Sequence, residues 1–262
     1  MQTSVEERME IGMPGMLADS GYKDVITGIN NSKQKVSVTI TAIDLATTLT
    51  INGVAFTVNA GAAAKTKTEL RDLMITAVNA GTEPVTASIN DADELYVDAD
   101  VSGVAFTAVG TTNCSVATVI ANEASISFGK FVSLNDAGQQ SSDSSGRRLV
   151  HLPQVATDVT SGKALGFALH TQAVENAYSG SNLGYDAGSA ISVLRKGRVY
   201  VTAEVNVSEG DPVYVRYTVN GALTLGSVRN DDDTSKAGLL PGAYFRKTAT
   251  AGNITVVEIN LP

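Results

Sequence analysis

The stretch Ile191–Tyr217, ISVLRKGRVYVTAEVNVSEGDPVYVRY, decides the fold. Val199, Val201, Ala203 and Val205 alternate with Arg198, Tyr200, Thr202 and Glu204. A period of two makes one face apolar and the other polar, the pattern of a strand lying on a core. Gly210-Asp211-Pro212 then breaks the chain, with Pro212 fixing φ. A second strand follows, with Val213, Val215 and Tyr217 on one side and Tyr214 and Arg216 on the other. Gly197 interrupts the first strand and predicts a β-bulge. Nothing in this stretch is arranged for chemistry; it reads as a sheet core that holds other surfaces in place.

The composition around it agrees. Ala, Thr, Val, Ser and Gly dominate, which favours short strands and turns over helices. Apolar residues make up 43% of 262, enough to bury a real core in one large domain or two small ones. The formal net charge of −8 argues against a general phosphate-binding surface, so no nucleic-acid partner is expected. Cys114 stands alone, which excludes an internal disulfide and fits a reducing compartment. The opening MQTSVEERMEIG lacks the apolar run of a signal peptide. No apolar run approaches the roughly 18 residues of a membrane span, so no membrane partner is expected.

Upstream, the segment Met13-Pro14-Gly15-Met16-Leu17 offers apolar area without a regular helix, because Pro14-Gly15 forbids one. It reads as a frayed terminus or as an arm that lies on a partner, using soft Met side chains, Met9 among them, as adaptable contacts. The arm reading makes Met13, Pro14, Met16 and Leu17 contact candidates that serve binding more than folding. Tyr22 to Ile29 predicts a strand closed by Asn30-Asn31-Ser32.

From Val36 to Ala121 the chain reads as a self-contained α+β unit. Strands are predicted in VSVTITAI and TLTINGVAFTV, with Asn52-Gly53 as a hairpin signal. A helix is predicted over Thr66–Ala80, with Leu70, Leu73, Ile75, Ala77 and Val78 near helical spacing, Thr66 and Glu69 as a capping box and Gly81 as C-cap. VTASI, ELYVDAD, VAFTAV and SVATVI follow as strands, giving a β-β-α-β-β-β-β order. This unit holds three basic and nine acidic residues, net −6, which suits a solvated, outward-facing module. Beyond it, ISFGKFV predicts a strand, and Asn135–Arg148 and Tyr178–Gly188 predict polar loops. LVHLP and ALGFALHT read as short apolar pieces on the core. Asn220-Gly221 marks a further hairpin, Asn230–Lys236 a charged loop, Ala243–Lys247 a short strand and ITVVEINL a last strand. The expected architecture is mainly β, a small β-barrel or β-sandwich core with an inserted α+β domain: 1–35 as arm and first part of the core, 36–121 as the insert, and 122–262 as the remainder.

Catalytic and metal chemistry finds little to work with. Asp98 to Gly103 matches the opening of a calcium loop, but Val109 stands where the closing Glu belongs, so a strand-to-strand turn is the better reading. Asp231-Asp232-Asp233 reads as a solvated loop before it reads as a cation site. His151 and His170 are the only histidines, too few with one cysteine for zinc. Both sit in apolar contexts and no Gly-x-Ser-x-Gly elbow accompanies them, so structural or surface roles are expected. Cys114, in a Thr/Ser/Val strand, reads as a small core residue. No Gly-rich phosphate loop with Lys-Ser/Thr is present, and no cofactor is implied. Arg195, Lys196 and Arg198 form the densest basic cluster and suit salt bridges to a protein partner, with a solvated strand edge as the plain alternative.

Four pieces in order, GMPGMLADSGYKDVITGINN, ISFGKFV, SVLRKGRVYVTAEVNVSEGDPVYVR and ITVVEINLP, resemble the structural cement (capsid decoration) proteins of tailed bacteriophages. The resemblance covers about 1–35 and 122–262. It implies a non-enzymatic virion protein on the outer capsid surface, assembled in the bacterial host cytoplasm, that clamps neighbouring major capsid subunits. A homo-oligomer is expected with it, a trimer ahead of a dimer. The unit from Val36 to Ala121 departs from that pattern, and a rival reading makes it an adhesion module for a host surface or carbohydrate. The low aromatic content argues against a sugar platform.

Overall fold

The computed structural model describes residues 12–18, 23–30, 33–43, 46–59, 65–120, 122, 125–134, 148–171 and 184–261. Met9, Tyr22, Asn31-Ser32, the bulk of the Asn135–Arg148 loop and most of the Tyr178–Gly188 loop lie outside them. The chain divides into two compact units, one of residues 1–31 with 125–262 and one of residues 32–124.

The strands in chain order begin with β1 (Asp24–Asn30), β2 (Lys35–Ile40), β3 (Thr47–Ile51) and β4 (Val54–Val58). Helix α1 (Lys67–Asn79) precedes β5 (Val85–Asp91), β6 (Glu94–Ala99), β7 (Ala108–Thr112) and β8 (Cys114–Ile120). Then come β9 (Ser125–Ser127), β10 (Phe131–Leu134), β11 (Leu149–His151), a short helix α2 (Ala156–Thr160) and β12 (Ala164–Ala168). The chain continues through β13 (Gly184–Asp186), β14 (Ala190–Thr202), β15 (Pro212–Arg216), β16 (Val228–Arg229), β17 (Ala237–Phe245) and β18 (Ile254–Asn260).

The first unit is organised by β14, the strand that carries Val199 and Val201. Its N-terminal half pairs with β12 on one side and β1 on the other. The ring β1–β11–β10–β12–β14 closes on itself as a five-stranded barrel, antiparallel except for the parallel β1–β11 pair. Closure removes the free edges a short open sheet would expose. Of the two architectures expected, the barrel is the one formed. Ile126, Phe128, Val132, Val150, Tyr185, Ile191 and Val193 fill one apolar cluster.

The C-terminal half of β14 runs on into a second layer, β14–β18–β17–β15–β16, and a parallel bridge Ala203–Val228 brings the last strand back to the end of β14. Val199, Val201, Val213, Val215, Leu240, Phe245, Val257 and Ile259 pack inside it, as the period-two reading requires. The bulge in β14 falls on Arg195 rather than Gly197. Asp24 pairs with Lys196 and Val25 with Leu194, leaving Arg195 as the extra residue, while β14–β18 pairing runs through Gly197 without a shift. Gly197 matters for another reason: its φ of 129° is one that side-chain-bearing residues rarely adopt.

Two other expectations are corrected. The Asn220-Gly221 turn forms, but as an isolated bridge Asn220–Leu223 without flanking strands. The strand predicted at Ala243–Lys247 starts earlier, at Ala237, and its Pro241-Gly242 sits where four residues of β17 face one of β15. Arg216 lies on the side of β15 opposite Val213 and Val215, as expected, but that side is covered and Arg216 is fully buried.

The second unit has a four-stranded sheet, β5–β6–β2–β8, and a three-stranded sheet, β4–β3–β7. Val36, Val38, Leu49, Ile51, Leu70, Met74, Leu95 and Val97 form its core. The Asn52-Gly53 turn, with φ of 49° and 85°, splits TLTINGVAFTV into two strands, so three strands precede the helix instead of two. The Thr66–Glu69 capping box forms in both directions. The buried stripe of α1 is Leu70, Arg71, Met74 and Val78, and Leu73 faces out. Helix α1 ends at Ala80 in a right-handed conformation. Gly81 serves packing instead: a Cβ there would lie 2.8 Å from the Phe56 ring. VAFTAV forms a strand only from Ala108 onward.

Candidate functional site

The arm is the first group of candidates. Met13-Pro14-Gly15-Met16 makes a tight turn, with the Met16 amide donating to the Met13 carbonyl at 3.0 Å. Pro at the second position and Gly with φ of 83° at the third are what a type II turn requires. The turn feeds a short antiparallel pairing along β14. The Gly15 amide donates to Tyr200 O (2.7 Å), the Tyr200 amide to Met16 O (2.9 Å) and the Ala18 amide to Arg198 O (2.9 Å). The His170 amide also donates to Gly15 O at 2.8 Å.

Leu17 bridges to Val199 and packs on the core of the second layer. The reading of this segment as having nothing to bury internally is therefore corrected at Leu17. The reason is that β14 offers an edge there, and unpaired backbone groups on an edge recruit a neighbouring strand. Pro14 is half-buried, whereas Met13 and Met16 are each 41% exposed.

The basic cluster is the second group. Arg195, displaced by its bulge, lies 3.9 Å from the carboxylate of Asp24 on β1. Lys196 and Arg198 belong to the outer phase of β14, with Tyr200 and Thr202, since Val199 and Val201 point inward. Register carries that face across the sheet. Arg198 stands opposite Glu258, and Glu258 opposite Tyr244; Tyr200 stands opposite Val256. The Arg246 amide donates to Val256 O, placing Arg246 beside that row. Arg198 Nε donates to Glu258 Oε2 at 2.7 Å, and Arg246 donates to both oxygens of Glu258 at 3.1 Å. The Arg246 guanidinium sits 5.9 Å from the Tyr244 ring centroid. Hydrogen bonds from Arg246, then from Arg198, hold the Glu258 carboxyl below the usual carboxylate range.

Alternation along the arm puts Met16 next to Tyr200 on this same side, opposite to Leu17. Gly12 is pressed so close to the Tyr200 ring that a Cβ there would lie 2.2 Å from it. Structure thus brings Met16, Lys196 and Arg198 to one face and adds Tyr200, Tyr244, Arg246 and Val256. It leaves Leu17, partly buried, packed on the core and Arg195 at the β1 junction. The added residues come from β17 and β18, and only strand register could have joined them to the arm.

The acidic run is elsewhere and does other work. Arg216 donates from Nε to Glu204 (2.8 and 3.0 Å) and from Nη2 to Glu204 (2.9 Å) and Asp233 (2.7 Å). Arg229, 5% exposed, reaches Asp231 through Nε at 2.7 Å and Asp233 through Nη1 at 3.1 Å. Asn220 donates to Asp233 at 3.0 Å. Asp231 and Asp233 are therefore counter-ions to two buried arginines; the run is a largely exposed loop, as read, with Asp231 59% exposed, but its charges also serve the fold. Hydrogen bonds from Arg216 and then Asn220 hold the Asp233 carboxyl low. The turn that carries them, Asp233-Thr234-Ser235, has φ of 46°, 57° and 61°. Three successive left-handed residues without glycine carry strain that the ion cluster offsets.

The Asp98–Gly103 turn is engaged by protein groups. Asp98 lies 3.4 Å from Lys35 Nζ, and Asp100 accepts from Thr86 at 2.7 Å. Among the described residues no three His, Cys, Asp or Glu side chains gather as a metal site. His151 is buried with Nε2 3.0 Å from Leu134 O, and His170 packs its ring 4.8 Å from Phe128. Cys114 lies buried against the Thr48 carbonyl, where burial raises its thiol pKa.

Fold and site together define a mainly β protein, built on a five-stranded barrel, with an aromatic and basic outer sheet face. Residues 104–260, more than half of the chain, match the family described as structural cement protein (E217 gp24/Pam3 gp6), and the chain belongs to that family. It is a structural protein of the phage virion. The matched span starts inside the second unit, at the approach to β7, and does not include the arm, which differs from the 1–35 and 122–262 of the sequence resemblance. A chain of the solved capsid of Myoviridae phage XM1 is 20% identical; the alignment covers 53% of this chain and 78% of that one, with a TM-score of 0.39. No curated protein matches the chain.

Proposed function

We propose that this protein binds the outside of the assembled capsid, without catalysing a reaction, and bridges neighbouring major capsid subunits as a homo-oligomer, a trimer ahead of a dimer. The observation that carries the reading is the joint presentation of Met16, Lys196 and Arg198 on one outer face, in a chain that belongs to a structural cement family. Residues 32–124 form, in this reading, an independently folding module that faces solvent. Binding only to the assembled shell stabilises it by mass action, and many copies add up without any single strong contact.

The experiment is to add purified protein to heads that lack it and to follow genome release on heating. Release should move to higher temperature as occupancy rises. Saturating occupancy with an unchanged release temperature would sink the bridging role and turn attention to an adhesive role for residues 32–124.

A further inference from the structure

The outer face of β14, β18 and β17 has a definite chemistry. Arg198 and Arg246 share the carboxylate of Glu258, and Lys196 stands opposite Asp24 of β1 and Asn260 of β18, so among the described residues three cations face two carboxylates here. The balance is positive in a chain whose net charge is −8. Arg198 and Arg246 keep 46% and 38% of their side-chain surface exposed although both contact Glu258. Glu258 holds the two guanidinium groups side by side, which fixes their positions at low cost in side-chain entropy. Around them stand Tyr244, 47% exposed, Tyr200 and Met16. Tyr, Met and Arg are the side chains enriched where one protein grips another, and Lys and Glu are the depleted ones.

We propose that this face receives an acidic protein segment that carries an apolar side chain. The acidic groups lie along Lys196, Arg198 and Arg246. The apolar side chain rests on Met16 and Tyr200, where Gly12 and the turn at Pro14-Gly15 hold the Tyr200 ring and the arm together. Charge complementarity commits the site to an acidic protein. A phosphate polymer would need a long basic track to follow, which is absent among the described residues of this face, whereas Met16 and Tyr200 offer a seat that only a protein side chain would use. The proposal rests on the capsid reading for where the segment comes from, but not for its chemistry.

Two arms test it. In the first, the isolated protein is titrated with a labelled peptide of alternating Glu and Leu and, separately, with a short single-stranded DNA. The peptide should bind and the DNA should not. Lys196→Glu, which leaves Glu258 and its arginines in place, and the pair Arg198→Gln with Arg246→Gln should each weaken peptide binding by about tenfold or more at low salt. Lys65→Glu, the same charge change in the other unit, should leave it as it was. Equal binding by wild type and both face variants, no peptide binding at all, or preference for DNA would each overturn the proposal. In the second arm, the same variants are loaded on bare heads. Failure of the wild type to load while the peptide arm succeeds would sink the capsid reading alone. Loading by the face variants equal to wild type would remove this face from capsid contact.

Discussion

Two clusters of arginines and carboxylates lie in the same unit and do opposite things. In one, Arg216 and Arg229 meet Glu204, Asp231 and Asp233; both arginines and Glu204 are buried, while Asp233 and Asp231 at the rim are 21% and 59% exposed. In the other, Arg198 and Arg246 meet Glu258, all three a third or more exposed. Distances hardly differ between them. What differs is water. Removing one partner from a buried cluster strands a charge that cannot be rehydrated, whereas an exposed cluster loses a contact that solvent replaces. The buried cluster therefore serves the fold: it ties the loop after β16 to the end of β15 and to Glu204, just past β14. The exposed one has little folding work to do and is open for recognition.

The sharpest way to break this comparison is Arg216→Met. It should cost about 3–5 kcal/mol of folding stability, because Glu204, 5% exposed, loses its bidentate partner and keeps, among the described residues, only Arg229 at 3.5 Å. Chemical denaturation of the two proteins checks it; a loss as small as that of a surface pair would mean the cluster is wetter than its burial implies.

Next in size is Leu17→Ser. Leu17 packs on the core of the second layer, so the change should cost about 1–2 kcal/mol even though the residue lies in the arm. An unchanged melting temperature would return the arm to a purely external role.

Acid titration separates the clusters further. The Asp233 carboxyl is held below its unfolded value, so its contribution is fully present above about pH 4 and is lost as pH falls through the folded value. Stability of the wild type should decline below that pH. Asp233→Asn should be less stable at neutral pH and show a shallower decline, measured as melting temperature against pH. Glu258 is depressed in the same direction, so its exposed site adds to the slope without deciding it.

The smallest effect is expected at the exposed cluster. Arg198→Gln with Arg246→Gln should change folding stability by no more than about 1 kcal/mol, and added salt should shrink even that. A loss as large as that from Arg216→Met would make both clusters structural. The second unit offers a control without either cluster. Residues 32–124 expressed alone should give a dispersed amide spectrum and melt cooperatively; a collapsed spectrum would show that this unit leans on the rest of the chain.

Local chemistry was legible wherever neighbours in sequence are neighbours in space. The capping box at Thr66–Glu69, the Asn52-Gly53 turn, the inward valines of β14 and β15 and the Pro14-Gly15 break in regular structure all rest on interactions within a few residues. Charge at Asp231–Asp233 was visible too, but its meaning was not. A run of three aspartates reads as a plain solvated loop until two arginines, one of them from the polar side of β15, are brought beneath it. Alternation placed Arg216 on the polar face of β15 correctly. It could not tell that this face is covered where β16 returns to the end of β14.

By itself, the sequence determined that the chain is mainly β, that β14 is its organising strand, and that it resembles cement proteins, because these depend on periodicity and on motifs kept in order. Tertiary structure alone decided that the sheet closes as a barrel, that Leu17 packs against the core while Met16 does not, and that Met16, Arg198, Tyr244 and Arg246 share one face. The physical reason is that strand pairing joins residues as far apart in sequence as Leu17 and Val199 through backbone hydrogen bonds that carry no mark of their partner. Register, not residue type, then selects which side chains meet.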